Sequence, residues 1–291
     1  MADTTAPWVF SEEKLGNALA GRDAKKEKET RSKTVWFMND LSDVLRPPPR
    51  QRDRKEDEIE YDIGTKKVFW TACIFFHRFY VYHTFEETNR FSMAVACLFL
   101  AAKVEERPLR LSDHVFLYFR VRKNKQLKKT DAEFKAMEKE VLVSERLLLQ
   151  CLNFDLNVVS PHSHFRRILA RELKPFIADP DDGKQLQRLA TMLATDSLRS
   201  TLCLLYSPHQ LAFSLVFMSL ILMSLEPSRA FSGRGVVAEV SWVEIFEKDV
   251  DEEVLQGVCT AVVELYADAS QAFRVSEKLG ACVGAVVERV G

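Results

Sequence analysis

Two oppositely charged side chains lie where the spacing of the sequence predicts apolar ones. Glu145 falls in the middle of an apolar stripe on a long predicted helix. Lys103 is the first charge after twelve uncharged residues at the end of another predicted helix, and is a candidate partner. A carboxylate within an apolar face is costly unless a cation pairs with it. Two interpretations stay open. The first is an internal salt bridge, or a lysine that reaches the surface; the second is a docking surface where another protein completes the hydrogen bonds.

The sequence holds no arrangement typical of catalysis or metal binding. Its six cysteines are widely spaced, and no CxxC pair indicates a zinc site or a disulfide framework. His162 and His164 have an HxH spacing, but no nearby cysteine or carboxylate completes a metal set. The DFG and HRD motifs of protein kinases are absent, as is any nucleophile–base arrangement. We therefore expect no catalytic residue, no cofactor and no metal.

Composition and charge limit the partners. The chain has 291 residues, of which 47% are apolar and 29% charged, and its formal net charge is −1. That charge gives no overall attraction to nucleic acid or to an anionic membrane. Residues 200–225 carry no formal charge, but a polar break at 207–210 leaves only 211–225 as an apolar helix, the length of a core helix rather than of a membrane span. We expect a core helix there and no membrane span.

A basic run at 120–129 holds six cations in ten residues. Such a run can act as a nuclear-import signal, an RNA contact or a kinase-facing patch. A solvated loop between helices is the favoured interpretation, because most charge runs are of that kind.

The apolar residues recur with a helical period, and none alternates for long as in a strand. The pattern predicts helices at about 35–45, 68–83, 91–104, 111–122 and 133–152, with a charged solvated loop at 50–58. Ser160-Pro161 and Ser207-Pro208 each place an N-cap residue before proline. The second, third and fifth helices recur roughly 117 residues later, which predicts two tandem copies of a five-helix unit.

Three segments then resemble a known family. They are FFHRFYVYHTF (75–85), LFLAAKVEERP (98–108) and VSERLLLQCLNFDL (143–156), and they are similar to the cyclin box, most of all in cyclins of the K and T types. The resemblance covers about residues 8–270 and continues through 161–169, 194–202 and 241–255. It implies an all-α chain of two tandem five-helix cyclin-box domains: an N-terminal extension (1–27), a first box (28–156) with a charged insert at about 47–60, a second box (157–270) and a C-terminal tail (271–291).

The resemblance also implies a function and assigns roles to residues. Lys103 and Glu145 match the pair that bridges to each other and holds kinase main chain. Val104, Leu149 and Phe154 match apolar positions that pack on the kinase's regulatory helix. The chain would then contribute no catalytic group, and would form a heterodimer with a transcription-type cyclin-dependent kinase and shift it towards its active conformation. The implied substrate is the C-terminal repeat of RNA polymerase II, and the implied location is nuclear.

Other functions remain to be distinguished. Cell-cycle cyclins carry an apolar substrate groove with a Met-Arg-Ala-Ile-Leu motif, of which TRSKTVWFM here keeps only Arg31. A splicing-linked L-type cyclin or a cell-cycle cyclin is a close alternative. A nucleic-acid-binding general transcription factor with the same doubled fold should be strongly basic and carry a zinc ribbon. A helical scaffold that does not act on a kinase is a further alternative.

Overall fold

Every regular element in the described part of the chain is a helix. The fold is that of a computed structural model, which describes residues 8–44, 55–173, 177, 180–223 and 250–267. The chain divides into two compact units, Phe10–Val158 and Val159–Gly291 together with Met1–Val9. The helices of the first unit are α1 (Glu12–Ala18), α2 (Ala24–Val44), α3 (Lys55–Tyr82), α4 (Arg90–Val104), α5 (Leu111–Lys123) and α6 (Ala132–Cys151).

Helix α4, whose charged residues Arg90 and Lys103 lie near its two ends, is the centre of the first unit. It packs against α2, α3, α5 and α6. Asn89 caps its start, since the side-chain oxygen accepts a hydrogen bond from the Phe91 amide at 3.1 Å. Residues 92–102 are all buried, and their alanines let the neighbouring helices approach closely. The predicted core helix at 91–104 is therefore confirmed.

The C-terminal end of α3 is held by two arginines from the N-terminal part of the chain. Arg22 donates to the carbonyls of Tyr80 (2.8 Å) and Val81 (3.0 Å), and Arg31 donates to Tyr80 at 2.7 Å. Arg31 is 1% exposed and also donates to the Glu27 carboxylate at 2.7 Å and to His77 Nδ1 at 3.2 Å. Because helix ends leave carbonyls without intrahelical donors, these contacts stabilise α3 and tie α2 to it.

The second unit repeats this plan. Its helices are α7 (His162–Arg167), which continues as a π-helical segment (Ile168–Leu173), α8 (Pro180–Ser197), α9 (Leu202–Leu205), α10 (Pro208–Leu222) and α11 (Glu252–Ala267). The uncharged α10 packs against α7, α8, α9 and α11, as α4 does against its neighbours. Residues 224–249, where a fourth helix of this copy would fall, lie outside the described residues. The all-α fold with two copies of one helical unit agrees with the prediction.

Helix starts agree with the sequence in part. Ser207 caps α10 in a full capping box with Gln210, with Pro208 at the first helical position, as predicted. At the other predicted site α7 begins at His162, so the helix starts one residue later than expected. Ser160 nevertheless accepts a hydrogen bond from the His162 amide at 3.3 Å.

The prediction of a solvated loop at 50–58 is partly wrong. α3 begins at Lys55, so the second half of the predicted solvated loop at 50–58 is helical. Lysine and glutamate have a high helix propensity, so a charged run of this kind is compatible with a helix as well as with a loop. Residues 45–54, which hold most of the predicted insert, lie outside the described residues, as do the predicted tail 271–291 and residues 241–249 of the sixth cyclin-like segment. The predicted boundary between extension and first box, at 27/28, falls within α2.

Among the helices that the structure describes, none is both long enough and apolar enough to cross a bilayer. The uncharged helix α10 has 15 residues.

A half-buried carboxylate in the second unit gives a pH-dependence prediction. The Tyr266 hydroxyl donates to Asp196 Oδ2, and burial nevertheless raises the pKa of the Asp196 carboxyl. A carboxyl with a higher pKa in the folded state than in the unfolded chain stabilises the fold more as pH falls through that interval. We expect Asp196→Asn to raise the melting temperature at about pH 7 by roughly 1–3 °C, and this gain to shrink towards pH 4.

The matched control is Asp181→Asn. Lys184 lowers the pKa of the Asp181 carboxyl, so the pH trend should have the opposite sign and a small size, because the pair is exposed. The change in melting temperature relative to the parent chain is plotted against pH for each variant. If it has the same pH trend in both variants, the raised pKa of Asp196 is contradicted.

Candidate protein-docking site

The structure brings Lys103 and Glu145 together. Lys103 lies in the last turn of α4 and its Nζ donates to Glu145 Oε1 of α6 at 2.7 Å. The Glu145 side chain is only 11% exposed, whereas that of Lys103 is 44% exposed. The carboxylate is thus held inside the α4–α6 contact, and the ammonium covers it from the solvent side.

The ring of Phe99 also contacts the Lys103 ammonium. Lys103 Nζ lies 3.9 Å from the Phe99 ring centroid, within the range of a cation–π contact. One of the three ammonium N–H groups donates to Glu145, which leaves donors on the exposed side. The pair is therefore both an internal salt bridge and a source of donors at the surface, so it fits elements of both sequence interpretations.

A buried histidine lies on the same ring. His114 of α5 contacts Phe99 edge to face, with ring centroids 5.4 Å apart, and its Nδ1 donates to the Arg110 carbonyl oxygen at 3.1 Å. Because the Arg110 carbonyl can only accept, Nδ1 carries the proton. Burial lowers the pKa of His114, so it is neutral at pH 7 and adds no second cation beside Lys103.

The three apolar site residues lie at the ends of the same two helices. Val104 and Leu149 are half-buried, and Phe154 is 69% exposed. Leu142, which precedes Glu145 by one helical turn, is also exposed, so α6 presents apolar side chains beside the acidic one. Exposed apolar side chains that are grouped in one place, rather than scattered singly, are typical of a contact surface.

Both helices end in the same backbone motif. After α6, the amides of Asn153 and Phe154 donate to the carbonyls of Gln150 (3.1 Å) and Leu149 (3.1 Å). This 5→2 and 6→1 pattern is a Schellman motif, which typically brings the residue two past the cap against the third residue from the helix end. Those two residues are Phe154 and Leu149, so the turn itself positions the apolar pair.

The end of α4 repeats the motif. The amides of Glu106 and Arg107 donate to the carbonyls of Lys103 (3.2 Å) and Ala102 (2.8 Å). Glu106 has a φ of 55° and Asn153 a φ of 49°, the left-handed region that glycine most often occupies at such turns. Asparagine is the second residue type typical of such turns, so Asn153 agrees with this backbone, whereas Glu106 carries no such signal.

Glu105 is a site residue that sequence reasoning missed. Its carboxylate accepts from Thr71 Oγ1 at 2.6 Å and from Lys67 Nζ at 2.6 Å, and its side chain is 7% exposed. These contacts fix the end of α4 to α3. In sequence Glu105 is one of two adjacent acids after a helix, so only the buried partner on α3 distinguishes it.

The other predicted features lie elsewhere. The basic run at 120–129 begins in the last turn of α5, where cations suit the negative end of the helix dipole, and continues as a loop in which Lys125 pairs with Glu133 at 3.3 Å. His162 Nδ1 contacts Ser160 Oγ at 2.8 Å. No cluster of potential metal ligands occurs in the ranges that the structure describes.

Comparison with known proteins defines the class. Residues 61–157, which include α4 to α6 and every candidate site residue, match the cyclin N-terminal domain. The chain belongs to the cyclin family. It is 30% identical over 252 residues to human Cyclin-K, a match that covers 81% of this chain and 41% of that protein. It is 29% identical over 287 residues to Cyclin-T1-5 of Arabidopsis thaliana, covering 94% of this chain and 44% of that one.

The chain is shorter than these relatives and spans about half the length of the curated proteins it matches. Among solved structures, it is similar to a chain of the yeast RNA Pol II CTD kinase CTDK-1 complex, with a TM-score of 0.67 at 20% identity. That match covers 92% of this chain and 75% of the other. At this identity the similarity supports the fold, which is the doubled helical fold of the two units.

Proposed function

We propose that this chain is the regulatory subunit of a cyclin-dependent protein kinase and switches that kinase on by docking through Lys103, Glu145 and their apolar neighbours. The observation that carries the proposal is the arrangement of the pair: a buried carboxylate fixes an ammonium whose remaining donors face solvent. Backbone carbonyls of a docked segment are the natural acceptors for those donors.

The apolar residues supply the rest of the surface. Phe154 and Leu149 are brought together by the turn after α6, and Val104 lies next to Lys103 at the end of α4. An amphipathic helix of a kinase could lay its apolar face across these side chains while its end meets the lysine. Such packing would stabilise the kinase conformation in which phosphoryl transfer is possible, by a shift of population and without a catalytic group from this chain.

A role in transcription is the finer part of the proposal. The similarity to Cyclin-K and to T-type cyclins supports a kinase of the transcription-elongation class. The structural neighbour is part of a kinase complex that acts on the C-terminal domain of RNA polymerase II, which supports that repeat as the substrate. We accordingly propose a nuclear location.

The alternative of a nucleic-acid-binding transcription factor has less support. A net charge of −1 and the absence of any CxxC pair disfavour a basic, zinc-containing factor. L-type and cell-cycle cyclins would use the same surface, so the kinase that co-purifies distinguishes them. Arg31, all that remains of the apolar substrate motif of cell-cycle cyclins, is buried against α3 and is not available to a substrate.

Reconstitution tests the function. The purified chain is added to purified kinases of the elongation, splicing-linked and cell-cycle classes, and phosphorylation of an RNA polymerase II repeat peptide is measured. We expect activation of an elongation-class kinase and no ATP turnover by the chain alone. Turnover by the chain alone after removal of contaminating kinases, or activation of none of them, would contradict the proposal.

Phe154→Ala separates docking from stability. Because the side chain is 69% exposed, the variant should keep the melting temperature of the parent chain. Loss of a large aromatic anchor should lower kinase affinity by roughly tenfold or more, measured by titration calorimetry. Met192→Ala, which removes an exposed apolar side chain of α8, is the control and should bind as the parent does. Equal effects of the two changes would show that Phe154 is not an anchor.

A further inference from the structure

A groove on the first unit combines cations with aromatic rings, at the other end of α4 from Lys103. It has a volume of about 320 Å³ and is bounded by α2, the start of α4 and the end of α5. Its residues are Lys33, Trp36, Phe37, Asp40, Arg90, Phe91, Val121 and Arg122. We call it the arginine groove.

Two guanidinium groups lie over one ring in this groove. The guanidinium carbon of Arg90 is 4.8 Å and that of Arg122 is 4.6 Å from the centroid of Phe91. Within the described residues, neither arginine forms an ion pair with a carboxylate. Stacking on a ring fixes the plane of a guanidinium and leaves its N–H fork available, the geometry that suits bidentate binding of a phosphate or carboxylate.

The floor of the arginine groove is rigid. Phe91 packs edge to face on the buried Phe37, with ring centroids 5.3 Å apart, and Asn89 caps the helix turn that carries it. Asn89 is held in turn by Glu140 of α6 at 2.8 Å. Arg90 and the ring beneath both arginines are therefore carried by a well-packed helix start, which lowers the entropy cost of binding.

The charges of the groove favour an anion. Arg90 and Arg122 lie in it with a single carboxylate, Asp40, while Lys33 is already paired with Glu29 at 2.6 Å. Burial and the neighbouring Asp43 raise the pKa of Asp40, so the arginines do not stabilise its charge. The guanidinium charges are thus left for a ligand, and the start of α4 adds the positive end of its dipole.

We propose that the arginine groove binds a phosphorylated peptide segment, with the phosphate between Arg90 and Arg122 and an apolar neighbour of the phosphoresidue on Trp36. Trp36 is 48% exposed at the groove wall. The groove volume suits one or two side chains rather than a long strand. Single-stranded RNA is less suited, because its bases stack on open aromatic faces and here the guanidiniums lie over Phe91. The site goes beyond kinase activation and does not depend on it.

Fluorescence anisotropy tests the site on the full chain. The probe is a short fluorescein-labelled peptide with one phosphoserine flanked by apolar residues, and its unphosphorylated twin is measured in parallel. We expect the phosphorylated probe to bind at least about tenfold more tightly. The double variant Arg90→Gln/Arg122→Gln should abolish that preference, and Arg120→Gln, an exposed cation on the same helix, should keep it.

The readouts separate this site from kinase docking. Melting temperature and kinase pull-down of the double variant should match those of the parent chain. Equal binding of the two probes, or a phosphate preference that survives in the double variant, would overturn the proposal. A single-stranded RNA oligomer that binds more tightly than the phosphopeptide and is lost in the double variant would replace it with a nucleic-acid site.

Discussion

Lys103→Ala is expected to weaken kinase binding by about 2–5 kcal/mol, which is roughly 30-fold or more in affinity. The change removes the donors that face the partner and leaves the Glu145 carboxylate, only 11% exposed, without its cation inside the interface. Glu145→Ala should have a loss of similar size, because the ammonium then loses the acceptor that fixes it at 2.7 Å. Surface plasmon resonance against the purified kinase measures both.

The chain offers a matched control for this pair. Lys125 and Glu133 form another lysine–glutamate pair in the same unit, at 3.3 Å, with both side chains about half exposed. Lys125→Ala should leave kinase affinity unchanged, since exposed pairs contribute little. If Lys103→Ala and Glu145→Ala fold normally and still bind and activate the kinase like the parent, the docking site is wrongly assigned.

Arg31→Met is expected to destabilise the first unit by about 3–5 kcal/mol, the usual effect of removing one member of a buried ion pair. It would leave the largely buried Glu27 with only Arg22, at 3.3 Å, as its partner and would remove a donor from the Tyr80 carbonyl. Methionine keeps most of the side-chain volume, so the loss reports on the lost contacts more than on a cavity. Urea unfolding followed by circular dichroism measures it.

Lys33→Ala is the matched control, a substitution in the same helix that removes an exposed ion pair. Lys33 is two residues further along α2 and pairs with Glu29 on the exposed side of the helix. Its removal should not shift the urea midpoint detectably. A midpoint for Arg31→Met within error of that for Lys33→Ala would show that the buried contacts do not stabilise the unit.

The helices that form the centre of each unit are readable in the sequence. Long uncharged runs with helical spacing lead directly to α4 and α10, because only burial on all sides makes such a composition favourable. The Lys103–Glu145 contact can also be predicted from the sequence. An acid in an apolar stripe requires a cation, and few cations lie at the end of a neighbouring core helix. The partner that we propose for this surface is inferred from family resemblance.

The structural features that could not be predicted from the sequence depend on contacts between distant residues or on backbone geometry. The left-handed turn at Glu106 lacks the glycine or asparagine by which such turns are recognised. The contact of Glu105 with Thr71 joins residues 34 apart, and the arginine groove joins three helices that no local period connects. Local patterns report which side of a helix is buried, but not which polar groups meet across helices.

Arg22 and Arg31, which donate to carbonyls at the end of α3, set a lower limit on the length of the smallest fragment that should fold on its own. Arg22 lies in the turn before α2, and Glu27 in its first turn, so a fragment cut at the expected start of the cyclin box would lack both. The carbonyls of Tyr80 and Val81 would then lose a donor, and Arg31 would lose its ion pair with Glu27. Recombinant versions of this unit should therefore keep the residues from Phe10 onward.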